Sequence, residues 1–210
     1  MVPVEFFKAD VPSEFSTELY HGIVDAYASS RFYVDSQPIG DDERYNLMPW
    51  TRRAHVESRL RDAATRKQID VATEDTGFWR HVVATSGRIR LTQSTARSQE
   101  TPLRAAGYKQ RYAKEQEQMY LPGLEVLVPV LNIQDPHLYA VLLHRASWKA
   151  DTPDFVVIRF PLPDLSDYHP GEVDLSLYSG VHVSEPAVET ESVDDLGDPK
   201  LKVRKNVDSQ

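Results

Sequence analysis

The sequence predicts an α+β fold: N-terminal helices packed on a mostly antiparallel sheet, with a polar C-terminal tail. Three observations point there. Apolar residues recur at helical spacing through the first third of the chain, strand-like apolar runs fill the stretch up to position 183, and beyond it the apolar positions stand isolated among acids. Residues 1–183 are therefore expected to form a single domain. Residues 184–210, acidic and then basic, carry too little apolar surface to offset the entropy of ordering them, which marks a tail.

Ser13 suits a helix N-cap, and Phe15, Leu19, Ile23 and Tyr27 follow every four residues, so a helix is predicted over 13–29. Residues 37–43, with Pro38, Gly40 and three adjacent acids, have turn chemistry and no period and are expected as a loop. Pro49 fits a first helical turn, and Trp50, Ala54, Val56, Leu60, Ala63 and Ala64 then set the apolar side of a helix over 49–67. Trp50 and Leu60 are expected on its buried face. Arg52, Arg53, Arg59, Arg61, Arg66 and Lys67 are expected on the other.

From Phe78 the period shortens. Residues 81–85 and 88–93 read as a hairpin turning at Ser86-Gly87, its second strand alternating Ile89 and Leu91 with Arg88, Arg90 and Thr92. Thr101-Pro102 has the form of a helix start, continued by Leu103, Ala106 and Tyr112 as one helix or two short ones before Pro122-Gly123. Three apolar runs follow, 124–131, 138–144 and 155–160, at separations suited to antiparallel neighbours, with Pro129 demoting the first toward an edge. A shorter strand pair, 173–177 with 181–183, can form around Ser179-Gly180.

Composition narrows the chemistry. The chain of 210 residues has 40% apolar and 27% charged residues, as ordinary globular proteins do, and it has no cysteine. Disulfides, iron–sulfur clusters, thiolate zinc sites and cysteine nucleophiles are thereby excluded. Neither a signal peptide nor an apolar stretch near the roughly 18 residues of a membrane span is apparent, so a cytoplasmic protein without a membrane partner is expected. The common nucleotide-binding, hydrolase and zinc motifs are missing, and no two of the seven histidines have the helical spacing that aims two rings at one ion. Neither a cofactor nor a metal is expected.

Charge is segregated. Within the net −8, residues 44–114 carry fifteen basic and six acidic side chains, whereas residues 115–196 carry three basic and fifteen acidic ones. In the basic block Arg88, Arg90, Arg97 and Arg111, with Tyr112, form a candidate nucleic-acid-binding set: cations neutralise phosphates and rings stack on bases. Arg80, Arg104, Lys109, Trp79, Tyr108 and the nearby serines and threonines extend it. The spacing matches no named nucleic-acid motif, and the bland alternative is that this surface pairs with the chain's own acids. Asp135-Pro136-His137 puts a carboxylate beside an imidazole, but it is equally a turn start. The acid-then-strand stretch 151–159 suggests a metal-dependent nuclease only faintly, lacking the second acid and lysine on the strand.

Two functions fit. The first is a non-catalytic, regulatory protein-binding module, such as the neutralising partner in a two-gene toxin–antitoxin or phage-related cassette. Glu185, Val188, Glu189, Val193 and Leu196 of the tail would contact the partner, whose identity the sequence leaves open. The alternative is a nucleic-acid-binding protein or metal-dependent nuclease acting through the basic 44–114 block. A homodimer is compatible with the composition, although no heptad pattern supports one.

Overall fold

A computed structural model of the protein describes residues 3–76, 80–116 and 137–179. Their order is α1 (Pro3–Asp10), α2 (Ser13–Asp35), α3 (Asp41–Arg66), β1 (Asp70–Asp75), β2 (Arg80–Ser86), β3 (Ile89–Thr95), α4 (Gly107–Glu115), β4 (Leu138–Arg145), β5 (Phe155–Arg159) and β6 (Val173–Asp174), the last leading into a 3-10 turn at Leu175–Tyr178. The six strands lie in sequence order across one sheet. Every neighbouring pair is antiparallel except β3 and β4, which run parallel with Ile89 opposite Leu138 and Thr95 opposite His144. A parallel pair needs a crossover connection, and α4 lies in it. This is the expected α+β arrangement of N-terminal helices on a mostly antiparallel sheet.

Both faces of the sheet are covered. On one, Phe7, Phe15, Leu19, Ile23 and Leu60 of the first three helices pack on Ile89, Leu91, Leu138, Ala140, Leu142 and Ile158. On the other, Leu103, Tyr112, Ala113, Leu165 and Tyr168 cover Val83, Tyr139, Val141, Leu143 and Val157. A strand buried on both faces needs apolar residues at successive positions, which is why β4 reads as an unbroken run and not as an alternation.

Several boundaries differ from expectation, each for a local reason. The first predicted helix does not stop near Ser29 but runs to Asp35, because its buried face continues through Ser30 to Val34, with the Ser30 hydroxyl accommodated inside the helix by donating to the Ala26 carbonyl at 2.5 Å. The second begins at Asp41 and not at Pro49. Asp41, Asp42 and Glu43 are not loop residues but a first turn, where carboxylates complement the positive end of the helix dipole. Pro49 consequently sits inside α3, and the buried face is shifted: Met48, Arg52, Val56 and Leu60 point inward at four-residue spacing while Trp50 is 52% exposed. Arg52, expected outside, is buried, donating to the carbonyls of Ala146, Trp148 and Ala150.

The hairpin turns at Gly87, whose φ of 51° is left-handed and whose added Cβ would meet the Asp10 carboxyl carbon at 2.9 Å. Two elements have no strong sequence signal: α1, and the exposed edge strand β1, whose Asp-Val-Ala-Thr-Glu-Asp is held by pairing with β2. Thr101 does not start a helix; its side chain engages Ser98, and α4 starts six residues later. The strand at Val173 pairs with β5, leaving 181–183 and the 124–131 run outside the described residues.

Candidate functional site

A cleft of about 350 Å³ opens where α3, the end of β3 and the start of α4 meet. Trp50 and Arg53 come from adjacent turns of α3, Gln93, Ser94 and Thr95 from the last residues of β3, and Tyr108 and Lys109 from the first turn of α4, with Arg104 just before it. The position follows from the topology. Chains leaving a strand for a parallel crossover create a crevice beyond its carboxyl end, and β3 is such a strand. Among the described residues no side chain caps the amino end of α4, so its first-turn amides add to the positive potential there.

Lys109 is the unusual residue. It is only 6% exposed, and its ammonium donates to Ser94 Oγ at 2.9 Å. Among the described residues no carboxylate reaches it to form an ion pair. Burial, and then the charges of Arg53 and Arg104, push its pKa down to about 8. A buried cation beside two others is costly unless an anion joins them.

The back of the cleft is a polar chain through the core. Gln93 Nε2 donates to Glu57 Oε1 at 2.8 Å, which turns Gln93 Oε1 toward His144 Nε2 at 3.0 Å. That oxygen can only accept, so His144 carries its proton on Nε2 and its Nδ1 accepts from the Tyr27 hydroxyl at 2.7 Å. The other Glu57 oxygen accepts from the Val82 amide at 2.5 Å, and Arg53 lies 3.9 Å from the carboxylate. Burial raises the Glu57 pKa, and burial, with Arg52 nearby, lowers that of His144 to about 3. The Arg52 guanidinium sits 4.6 Å from the Tyr27 ring centre and clamps the far end. His81 stacks on Tyr108 with ring centres 3.9 Å apart, fixing that wall. These contacts hold Gln93 in one orientation.

The arginines singled out from the sequence lie elsewhere. Arg88 pairs with Asp10 at 2.7 Å and covers the Phe6 ring. Arg90 pairs with Glu115, and Arg111 with Glu74 at 2.5 Å, gathering both around Tyr112. Tyr112 is 2% exposed and packs on Tyr139, so its ring presents no face to solvent. Arg97 is exposed. From the same basic block the fold brings Arg104, Tyr108 and Lys109 together instead, adding Arg53 and Trp50 from α3. Glu57, Gln93, His144 and Tyr27 were not read as site residues; the available signal was polar residues at core positions, such as His144 closing an apolar run. Asp135 and the tail residues Glu185, Val188, Glu189, Val193 and Leu196 lie outside the described residues, and His137 just precedes β4.

A larger depression, about 510 Å³, follows the turn between α1 and α2, but its Asp10 is already engaged by Arg88. Among the described residues no three histidine, aspartate or glutamate side chains cluster as a metal site would need, and no helix is long and apolar enough to cross a membrane. No protein family, curated protein or solved structure matches the chain.

Proposed function

We propose that the protein binds nucleic acid through the cleft between α3, the end of β3 and the start of α4. The observation that carries this is the convergence of Lys109, buried and without a carboxylate partner among the described residues, with Arg53 and Arg104. A phosphate supplies the anion that Lys109 lacks among the described residues, and the Ser94 and Thr95 hydroxyls can donate to its remaining oxygens. Trp50, half exposed and lining the cleft, is a ring of the kind on which bases stack. The chain's net charge of −8 does not oppose this locally, since a cleft lined by one sign of charge focuses its own field.

The reading is confined to binding. Glu57, the carboxylate behind the cleft, has both oxygens occupied by Gln93 and Val82 and acts as a support for the wall. The regulatory, protein-binding alternative rests on charge segregation and on tail residues outside those described, so the cleft is the stronger ground.

Fluorescence anisotropy with labelled single-stranded and duplex DNA and RNA at low salt tests the proposal. Dissociation constants in or below the roughly 10⁻⁴ to 10⁻⁶ M range of non-specific binding are expected, weakened at least tenfold by Lys109→Met together with Arg104→Gln. Absence of binding to every strand at low salt overturns it.

A further inference from the structure

Resting on that reading, we propose that the cleft is an end-binding site: it takes the terminal phosphomonoester of a single-stranded nucleic acid, with the terminal base against Trp50. Shape argues first. The cleft, at about 350 Å³, falls at the small end of the roughly 300–1,000 Å³ typical of small-ligand pockets, room for about one nucleotide and none for a duplex. Its cation is also recessed. With Lys109 only 6% exposed, an internal phosphodiester, which carries chain on both sides, cannot bring its oxygens to the ammonium without burying both flanking nucleotides. A chain end enters with only one.

Charge argues the same way. Arg53, Arg104 and Lys109 bring three positive charges, of which that of Arg53 is paired with Glu57 at 3.9 Å. Among the described residues, Arg104 and Lys109 are left without a carboxylate partner. A terminal phosphomonoester carries about −1.5 to −2 at neutral pH, whereas an internal phosphodiester carries one negative charge. The groups lining the cleft are suited to a tetrahedral end with three terminal oxygens: the Lys109 ammonium, the hydroxyls of Ser94 and Thr95 from β3, and the first turn of α4. The Tyr27–His144–Gln93–Glu57 chain keeps the β3 wall from shifting as the anion enters.

Competition anisotropy with one single-stranded oligonucleotide prepared in three forms, 5′-phosphorylated, 3′-phosphorylated and with both ends as hydroxyls, tests this. The label is placed internally, and the corresponding mononucleotide and inorganic phosphate serve as further competitors. At least one phosphorylated form is expected to bind tenfold or more tightly than the hydroxyl form. Lys109→Met and, separately, Arg104→Gln in the exposed segment before α4 are expected to abolish that preference, while Arg97→Gln, at an exposed residue that does not line the cleft, leaves it intact. Equal affinity for all three forms overturns end binding yet leaves nucleic-acid binding standing. Competition by inorganic phosphate as strong as that of the phosphorylated strand overturns the nucleotide end as the ligand, whereas the mononucleotide, which carries the same terminal phosphate and base, is expected to compete. Failure of every strand to bind overturns the underlying reading itself.

Discussion

The phenol of Tyr27 on α2 donates a hydrogen bond across 2.7 Å to Nδ1 of His144 on β4, joining two fully buried side chains 117 positions apart. The imidazole is held neutral, with its second nitrogen committed to Gln93 and thus to the wall of the cleft. Folding the helix layer onto the sheet and shaping the cleft are therefore coupled.

Tyr27→Phe removes that one donor while keeping the ring beneath Arg52. It leaves a buried acceptor unsatisfied on His144, a loss of about 1–3 kcal/mol that urea denaturation reads directly. An unchanged midpoint would show that the bond contributes nothing.

Acid should act through the same histidine. Its folded pKa of about 3 lies below the unfolded 6.5, so the unfolded chain binds the extra proton between those values and stability falls as pH drops through that window. The slope from this group is at most about 1.4 kcal/mol per pH unit. Glu57 opposes it: a raised folded pKa gives stability that is present at low pH and lost as pH rises past its ordinary 4.5. His144→Gln, which cannot titrate, isolates the first contribution. Its denaturation midpoint is expected to vary less between pH 6.5 and 4 than that of the parent protein.

The two faces of α3 separate packing from binding. Leu60 is fully buried, and Leu60→Ala should cost about 2–5 kcal/mol. Trp50→Ala should leave the thermal midpoint nearly unchanged, since about half the ring is in solvent, but weaken single-strand binding by about 1–3 kcal/mol through lost stacking. A large fall in midpoint for Trp50→Ala would place that ring in the core.

Binding should depend on salt and on pH in ways traceable to single residues. For a single strand each phosphate contact adds about 0.7 to the slope of log K against log salt, so Lys109→Met with Arg104→Gln, which removes the contact to the one phosphate in the cleft, should flatten it by about 0.7. Because Lys109 titrates near 8 when the cleft is empty and an anion favours its charged form, affinity should fall as pH rises through about 8. Lys109→Met should remove that step. Persistence of the step in the variant would assign it to another group.

The α+β class, the helical face of Phe15, Leu19, Ile23 and Tyr27, the hairpin at Gly87 and the strands around 138–144 and 155–160 were legible because each follows from local periodicity or turn chemistry. Pro49 misled because a proline that suits a first turn is also tolerated inside a helix supported by packing on both sides of it, here by Met48 and Arg52. That displacement of the helix start reversed the expected positions of Trp50 and Arg52.

The basic block was visible as composition, but composition does not say which cation meets which anion. Arg88, Arg90 and Arg111 are drawn to Asp10, Glu115 and Glu74, residues brought within reach by α1, α4 and the edge strand. Among the described residues Lys109 meets a hydroxyl and no carboxylate, because the parallel β3–α4–β4 crossover seats it beside Ser94 and the two arginines. Short-range pattern sets elements, since helix and strand periods are properties of neighbouring residues; the cleft and its polar backing join residues from α2, α3, β3, α4 and β4, and their contact depends on how those elements pack.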